Sequence, residues 1–241
     1  MRLEKLSVTL VGSEYPINVG YTARLLKNFG VRKLYLIEPN FDRRVASVYA
    51  AHGSDVLDSA EETDFNALRA GHDLLVGTTA VTAIRRANVN RLSVSPEEMA
   101  GYVASSKSAS LVFGRDTTGL RNDELARCDV TTSISTGTGY KTLNVSHSIG
   151  ILLYVLSRSP VARRRLPDLG ERDVFAAYAY ELALVAGLQK HRAERLGRLA
   201  RRMTLRSQLD GKEIGLLVSL LRRATKAISE KGVADQARSK T

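Results

Sequence analysis

Short apolar runs alternate with stretches of helical periodicity over the first 160 residues. Leu6-Ser-Val-Thr-Leu-Val11 reads as a strand ended by Gly12, and Leu34-Tyr-Leu-Ile37 as a second strand closed by Pro39-Asn40. Asp73-Leu-Leu-Val-Gly77 and Ser110-Leu-Val-Phe-Gly114 are two more, each ending on glycine. Ala23, Leu26 and Phe29 have the spacing of a buried helical face, which predicts a helix from about Val19 to Phe29. Ser95-Pro96-Glu97-Glu98 opens another helix: Ser95 caps, Pro96 fits the first turn and Glu98 completes a capping box. A further helix runs from about Leu143 to Leu156. Near-continuous apolar strands separated by helices predict an α/β fold, a parallel sheet covered on both faces. Ligands of such sheets bind beyond the carboxyl ends of the strands. Here those ends carry Gly12-Ser13, Gly77-Thr78-Thr79 and Gly114-Arg115-Asp116.

The pattern changes after residue 158. Pro160, Arg163-Arg164-Arg165, Pro167 and Gly170 predict a linker over 159–172. Beyond it, Val174, Tyr178, Leu182, Val185 and Leu188 sit at helical spacing. Asp210-Gly211-Lys212-Glu213 opens another helix with Ile214, Leu217, Val218 and Leu221 on its apolar face. Arg192, Arg195, Arg198, Arg201, Arg202 and Arg206 fall between these stretches. The predicted organisation is a domain over 1–158, the linker, and a small basic α-helical extension over 173–241.

Composition removes several classes of function. A hydrophobic content of 44% is too high for a disordered chain. The single Cys128, expected to be a small buried residue, excludes a disulfide scaffold and a cysteine-based metal site. His52, His72, His147 and His191 lack ligand spacing, so no metal is expected. The longest apolar run, Ile149 to Leu156, is too short to span a bilayer. Met1-Arg-Leu-Glu-Lys5 carries an acid and no apolar signal core, which predicts a cytoplasmic protein without a membrane partner. Net charge is +11, of which residues 161–241 carry +9. Such asymmetry favours a polyanionic partner through counterion release, against the plainer reading of a solvated basic surface.

Three segments stand above this background: Asn18-Val-Gly20-Tyr-Thr-Ala-Arg24, Val112-Phe-Gly114-Arg115-Asp116-Thr-Thr-Gly119-Leu120 and Tyr140-Lys-Thr142-Leu143-Asn144-Val145-Ser146. In order, spacing and placement at strand ends they resemble the SPOUT superfamily of S-adenosylmethionine-dependent RNA 2′-O-ribose methyltransferases. Within it the likeness is to the TrmJ-type tRNA enzymes, which methylate cytidine or uridine ribose at position 32 of the anticodon loop. The resemblance covers about residues 1 to 158. It implies a sheet tied in a C-terminal trefoil knot, a homodimer, tRNA as substrate and S-adenosyl-L-homocysteine as by-product.

The resemblance also implies roles for particular residues. Three loops would hold the cofactor: Thr78, Thr79 and Ala80; Gly114, Arg115, Asp116, Gly119 and Leu120; and Ile134 with Leu143, Asn144 and Ser146. Glycines let backbone approach a ligand closely, and Ile134 and Leu143 can flank an adenine ring. Arg24 would be catalytic, near the target nucleotide and the cofactor of the other subunit, with Asn18, Thr142 and Asn144 orienting it or the ribose. A guanidinium stays protonated far above neutral pH. Its expected work is therefore to hold a phosphate and stabilise developing alkoxide charge. Arg24, Arg85 and Arg86 are the expected RNA contacts. The chain departs from the family pattern at Asp116 (usually Glu), at Ser135-Thr136 (where proline is common) and at Thr142 (usually Ser).

Residue by residue, plainer readings exist. Arg24 reads equally as a solvated surface charge, Asn18 as a helix cap and Gly20 as a tolerated helical glycine. Tyr140 reads as core packing or as a base-stacking platform. The glycines at strand ends are ordinary turn residues in any α/β protein. A dinucleotide-dependent oxidoreductase lacks its G-x-G-x-x-G after the first strand, and a P-loop enzyme lacks Gly-Lys-Ser/Thr. An rRNA 2′-O-methyltransferase of the same fold and a non-catalytic RNA-binding module remain as alternatives. Affinity for S-adenosylmethionine separates the module from the enzymes.

Overall fold

The computed structural model describes residues 3–80, 93–159, 167–207 and 209–238. The chain divides into two compact units, Met1–Arg164 and Arg165–Thr241. In the first, a 3₁₀ turn (Leu3–Lys5) leads into β1 (Leu6–Val11), α1 (Pro16–Phe29), β2 (Lys33–Ile37), α2 (Arg43–Ala50), a second 3₁₀ turn (Ala51–Gly53), α3 (Ser54–Asp58) and β3 (Glu61–Glu62). There follow α4 (Phe65–Gly71), β4 (Leu74–Thr78), β5 (Ser93–Val94), α5 (Pro96–Ser105), β6 (Ala109–Phe113), α6 (Asn122–Arg127), β7 (Val130–Thr132) and α7 (Val145–Arg158). The four expected strands are present within one residue of their expected limits. The capping box at Ser95 is formed, Glu98 N–H donating to Ser95 Oγ at 3.1 Å and Ser95 N–H to Glu98 at 2.9 Å.

Two helices begin elsewhere than expected. α1 starts three residues early, at Pro16, whose fixed φ suits a first turn. α7 starts two residues late, because Asn144 is its cap and accepts from Ser146 N–H at 2.9 Å. β3, β5, β7 and four short helices had no expectation at all; they are two to eight residues long, too short for periodicity to show.

Among the described residues seven strands form one sheet, all parallel, in the order β3-β2-β1-β6-β4-β7-β5. β6 enters between β1 and β4, and β7 between β4 and β5, so both late strands pair with neighbours laid down earlier in the chain. This interleaving sets the carboxyl ends of β1, β6, β4 and β7 side by side. On one face, Val11, Ile37, Leu75 and Val112 form a core with Phe65 and Leu68 of α4, Leu125 of α6, and Cys128. α1 meets α2 so closely that a Cβ on Gly20 would lie 2.3 Å from the Ala46 carbonyl oxygen. Gly20 is required by helix packing rather than tolerated.

Polar groups buried in the sheet are paired, as burial demands. Thr9 and Ser110 share a hydroxyl hydrogen bond of 2.8 Å across β1 and β6. His72 joins Ser7 Oγ at 2.9 Å through Nε2 and the Leu68 carbonyl at 2.8 Å through Nδ1. The buried Asp129 carboxylate accepts Leu75 N–H at 2.8 Å and pairs with Arg69, which also donates to the His72 carbonyl.

The second unit comprises α8 (Leu169–Val185), α9 (Lys190–Arg206) and α10 (Gly211–Arg238), with α8 against both of the others. α8 starts inside the stretch expected as a linker. Asp168 and Glu171 form a capping box there, Glu171 N–H donating to Asp168 at 3.0 Å and Asp168 N–H to Glu171 at 2.9 Å. Pro160 and Arg163 to Arg165 lie outside the described residues. Not every arginine of this unit faces solvent. Arg172 is fully buried, Arg202 is buried, and Arg201 pairs with Asp173 at 3.1 Å, whereas Arg192, Arg195 and Arg198 are exposed. Among the described residues no helix is long and apolar enough to cross a membrane.

Two stability predictions follow from the paired polar groups. Asp129→Ala removes the acceptor for Leu75 N–H and the partner of Arg69, and is expected to cost about 3–5 kcal/mol in urea unfolding; a cost below 1 kcal/mol would show the pair to be dispensable. Burial holds the His72 imidazole below its ordinary value of 6.5, Arg69 adding to the effect and the bond to Leu68 opposing it. The unfolded chain therefore takes up the proton first, so this group's contribution is complete above about pH 6.5 and is lost as pH falls below it. Unfolding curves between pH 7.5 and 5 should be less steep with pH in His72→Gln than in the wild type, and parallel curves would refute this.

Candidate active site

The carboxyl edge of the sheet gathers three loops around one cavity. Thr78 ends β4 and Thr79 and Ala80 follow it, and Gly114 to Leu120 follow β6. Thr132 closes β7; Ser133 and Ile134 follow it, and Lys141, Thr142 and Leu143 precede α7. Phe113, Val145, Ser148 and Leu152 complete the wall. The loops are tied to each other by backbone and hydroxyls. Thr79 N–H donates to the Thr132 carbonyl at 3.1 Å, and the Thr78 hydroxyl to the Val112 carbonyl at 3.1 Å. The second loop folds back on itself: Gly119 N–H donates to the Arg115 carbonyl at 2.9 Å and Arg115 N–H to the Gly119 carbonyl at 3.3 Å. This turn brings backbone against backbone. A Cβ on Gly114 would stand 2.0 Å from the Gly119 carbonyl carbon and 2.1 Å from Leu120 N, and Gly119 itself has φ +68°.

The two charged residues of this loop are held by the protein's own groups. Arg115 donates through Nη1 to both oxygens of Glu124, at 3.0 and 3.1 Å, and through Nη2 to Glu38 at 3.2 Å. Glu124 is buried and also receives Arg121 N–H at 2.6 Å. Asp116 accepts Asn18 Nδ2 at 2.5 Å on one oxygen, and Glu14 and Tyr15 N–H at 3.3 Å each on the other. The chain of bonds continues: Asn18 Oδ1 accepts Asn144 Nδ2 at 2.9 Å. Asn144 Oδ1 then accepts Ser146 N–H at 2.9 Å and Ser146 Oγ–H at 2.7 Å. Asp116 and Arg115 line the cavity, but their charges serve to brace it.

The expected site residues thus fall into three places. Thr78, Thr79, Ala80, Gly114, Arg115, Asp116, Gly119, Leu120, Ile134, Thr142 and Leu143 line the cavity. Asn18, Asn144 and Ser146 lie outside its wall, in the network that joins α1 to α7. Arg24 is on α1 and lines a separate groove between α1 and α7, with Tyr21, Leu25, Asn28, Ser146, His147, Gly150 and Ile151. Arg85 and Arg86 lie outside the described residues. Tyr140 is not core: it is 80% exposed, and the Thr136 and Thr138 hydroxyls both donate to its carbonyl at 3.1 Å. The sequence reading gave no role to Thr132, Ser133, Phe113, Lys141, Val145, Ser148 and Leu152. The last three recur at i, i+3 and i+7 from Val145, the spacing of one helical face, and that signal was available.

A cavity with apolar walls, several hydroxyls and tightly turned backbone suits a small ligand that is part flat ring and part polar chain. Residues 5–154 match the model of the SpoU rRNA Methylase family. A tRNA (cytidine-2′-O-)-methyltransferase TrmJ of Methanocaldococcus jannaschii is 28% identical over 225 residues, covering 89% of this chain and 97% of the relative. A tRNA (cytidine/uridine-2′-O-)-methyltransferase TrmJ of Photorhabdus laumondii is 30% identical over 167 residues, 67% of this chain and 68% of the relative. Among solved structures, TrmJ from Z. mobilis ZM4 shares the fold with a TM-score of 0.66 at 20% identity, over 90% of this chain and 97% of that one. With the glycine-bearing loops, the interleaved parallel sheet and the family model all falling on the same unit, the chain belongs to the SpoU methylase family.

Proposed function

We propose that this protein transfers the methyl group of S-adenosylmethionine to a ribose 2′-hydroxyl of tRNA, at position 32 of the anticodon loop. The observation that carries the reading is the convergence of the three loops expected to hold the cofactor on one cavity. The residues present fit the cofactor. Ile134, Leu143 and Leu120 offer apolar surface to an adenine, while threonine hydroxyls and loop backbone offer partners to its ribose and amino-acid end. The tight turn at Gly114 supports a ligand held by backbone rather than by Arg115, which is paired with two acids, or Asp116, which already accepts three N–H groups. When bound, the cofactor supplies the electrophile, a methyl carried on positively charged sulfur.

The protein's own task is then to bind, orient and stabilise. Asn18 and Asn144 fix the start of α1 against the start of α7, and so set where Arg24 stands. Arg24 lies off the cavity wall, in the α1–α7 groove. This supports a homodimer in which Arg24 serves the cavity of a second copy. The partly exposed Ile17, Tyr21, Ile151 and Tyr154 on the same two helices give that pairing an apolar surface. There Arg24 holds a phosphate and stabilises charge on the ribose oxygen without giving up its own proton. Insertion of β7 between β4 and β5, followed by return of the chain as α7 against α1, supports the trefoil knot. The exposed Arg192, Arg195 and Arg198, with Arg85 and Arg86, supply phosphate contacts. The relatives named above support tRNA over rRNA, and a role in tRNA maturation supports a cytoplasmic location.

The test is incubation with labelled S-adenosylmethionine and a tRNA transcript, then mapping of the methylated nucleoside. Label in the ribose at position 32 is expected, and label only in rRNA would overturn the tRNA reading. Gly114→Ala should weaken cofactor binding at least about tenfold in calorimetry, since the turn must open to admit a methyl group. Unchanged affinity would remove this loop from the site. Arg24→Ala should leave cofactor affinity intact and lower turnover by about 100- to 1,000-fold; wild-type turnover would remove Arg24 from the chemistry.

A further inference from the structure

S-adenosylmethionine brings one negative group into its site, the carboxylate of its amino-acid end. A carboxylate drawn out of water needs a cation or several donors in place of its hydration. Most charged and polar groups on the cavity wall already have partners within the protein. Arg115 is held by Glu124 and Glu38, and Asp116 is itself an acid that accepts three N–H groups. The Thr78 and Thr132 hydroxyls donate to the Val112 and Val94 carbonyls at 3.1 and 3.0 Å, and Ser133 Oγ shares a hydrogen bond of 2.8 Å with Ser93 Oγ. Among the described residues one further charge lines the cavity, Lys141. It is exposed and makes no ion pair or hydrogen bond among the described residues. Its main chain is fixed on both sides. The Thr136 and Thr138 hydroxyls hold the Tyr140 carbonyl just before it, at 3.1 Å each, and Asn144 caps α7 three residues on. Thr142 and Leu143, between these anchors, line the same cavity, as does Val145, the first residue of α7, so the positive end of that helix adds to the field there. A lysine rooted in this way keeps a flexible four-carbon stem, on which the ammonium can follow a ligand's charge.

Resting on the cofactor reading above, we propose that Lys141 is the carboxylate-binding residue of this cavity, its ammonium pairing with the amino-acid carboxylate of S-adenosylmethionine. The pairing orients the ligand as well as holding it. Sulfonium and ammonium repel, so the favourable arrangement turns the carboxylate toward Lys141 and the positive sulfur away from it. S-adenosylhomocysteine keeps the carboxylate, so the same contact serves substrate and product forms alike. An interaction made equally before and after transfer contributes to binding rather than to the chemical step. A tRNA phosphate is the competing occupant. The carboxylate is favoured because Lys141 is part of the wall that the cofactor loops form.

The experiment is calorimetric titration of the full-length protein with S-adenosylmethionine and with its decarboxylated form, which lacks that carboxylate and is otherwise the same molecule. The wild type should bind the carboxylated ligand more tightly by about tenfold or more. Lys141→Met should weaken S-adenosylmethionine by a similar factor and bind the decarboxylated form no more weakly than the wild type does. Lys141→Arg, which keeps the cation, should recover most of the preference. Equal affinity of the wild type for the two ligands, or a variant that loses both equally or neither, would overturn the assignment. Unchanged cofactor affinity in Lys141→Met, with a raised KM for tRNA and a salt slope shallower by about one, would overturn it in favour of a phosphate. If Lys141→Met fails to fold, Lys141→Gln and the wild-type preference decide on the same criteria. Failure of the wild type to bind either ligand would sink the cofactor reading instead, which keeps the two failures distinct.

Discussion

The carboxylate of Asp116 reaches from the loop after β6 to the segment that enters α1, where it accepts two backbone N–H groups and the amide of Asn18. α1 has no capping side chain of its own, since Tyr15 makes no such bond. A negative group beside that amino terminus also meets the positive end of the helix dipole. Through Asn18 and Asn144 the same brace reaches α7, so one acid and two amides set the relative positions of three segments from opposite ends of the unit. Shortening the usual glutamate to aspartate at this position is compatible with that geometry, because the contact is made directly with loop backbone. The glycine turn, the cavity and the Arg24 groove all take their placement from these few bonds.

Around this brace, side-chain charge and backbone shape do different jobs. Arg115 would be read from sequence as a ligand cation, yet two acids claim it and it packs over Gly12, where a Cβ would come within 2.8 Å of its Cγ. A guanidinium satisfied on both sides is a structural strut that joins the ends of β1, β2 and β6. What it leaves to the ligand is the loop's main chain. Main-chain donors cost no side-chain ordering when a ligand binds, and their direction is fixed by the turn. Gly114 is the residue that permits this, because no larger residue fits between it and the Gly119–Leu120 backbone.

Much of this was legible in the sequence, for reasons that can be stated. β1, β2, β4 and β6 are central or buried strands and show as apolar runs; β3, with its two exposed glutamates, does not. Capping signals at Ser95 and Asp210 were readable from three or four residues, and Asp42, Asp64 and Asp168 carry the same kind of signal. The start of α1 was not readable, because its acid lies about a hundred positions away in the chain. The cavity residues that motifs flagged were recovered almost completely on its wall. The exceptions, Asn18, Asn144 and Ser146, are polar residues whose partners are one another. A single chain cannot display that pairing until the fold brings α1, the loop after β6 and α7 together.

Charge counting was the least direct guide. Residues 161–241 carry +9, but Arg172 and Arg202 are buried and Arg201 is engaged by Asp173, so fewer of the arginines are offered to a partner than the count of basic residues suggests. The first unit shows the same correction at closer range. Arg115 is matched by Glu124 and Glu38, and Arg69 by Asp129. Among the described residues, what remains is Lys141 on the cavity wall and Arg24 in the separate groove. On the proposed reading, general attraction to a polyanion comes from the exposed arginines of α9 and falls with salt. Placement of one ribose depends instead on a few groups held by short, partly buried hydrogen bonds, which salt screens far less. A nucleic-acid enzyme built this way separates finding the substrate from positioning it, and the formal charge of the chain reports only on the first.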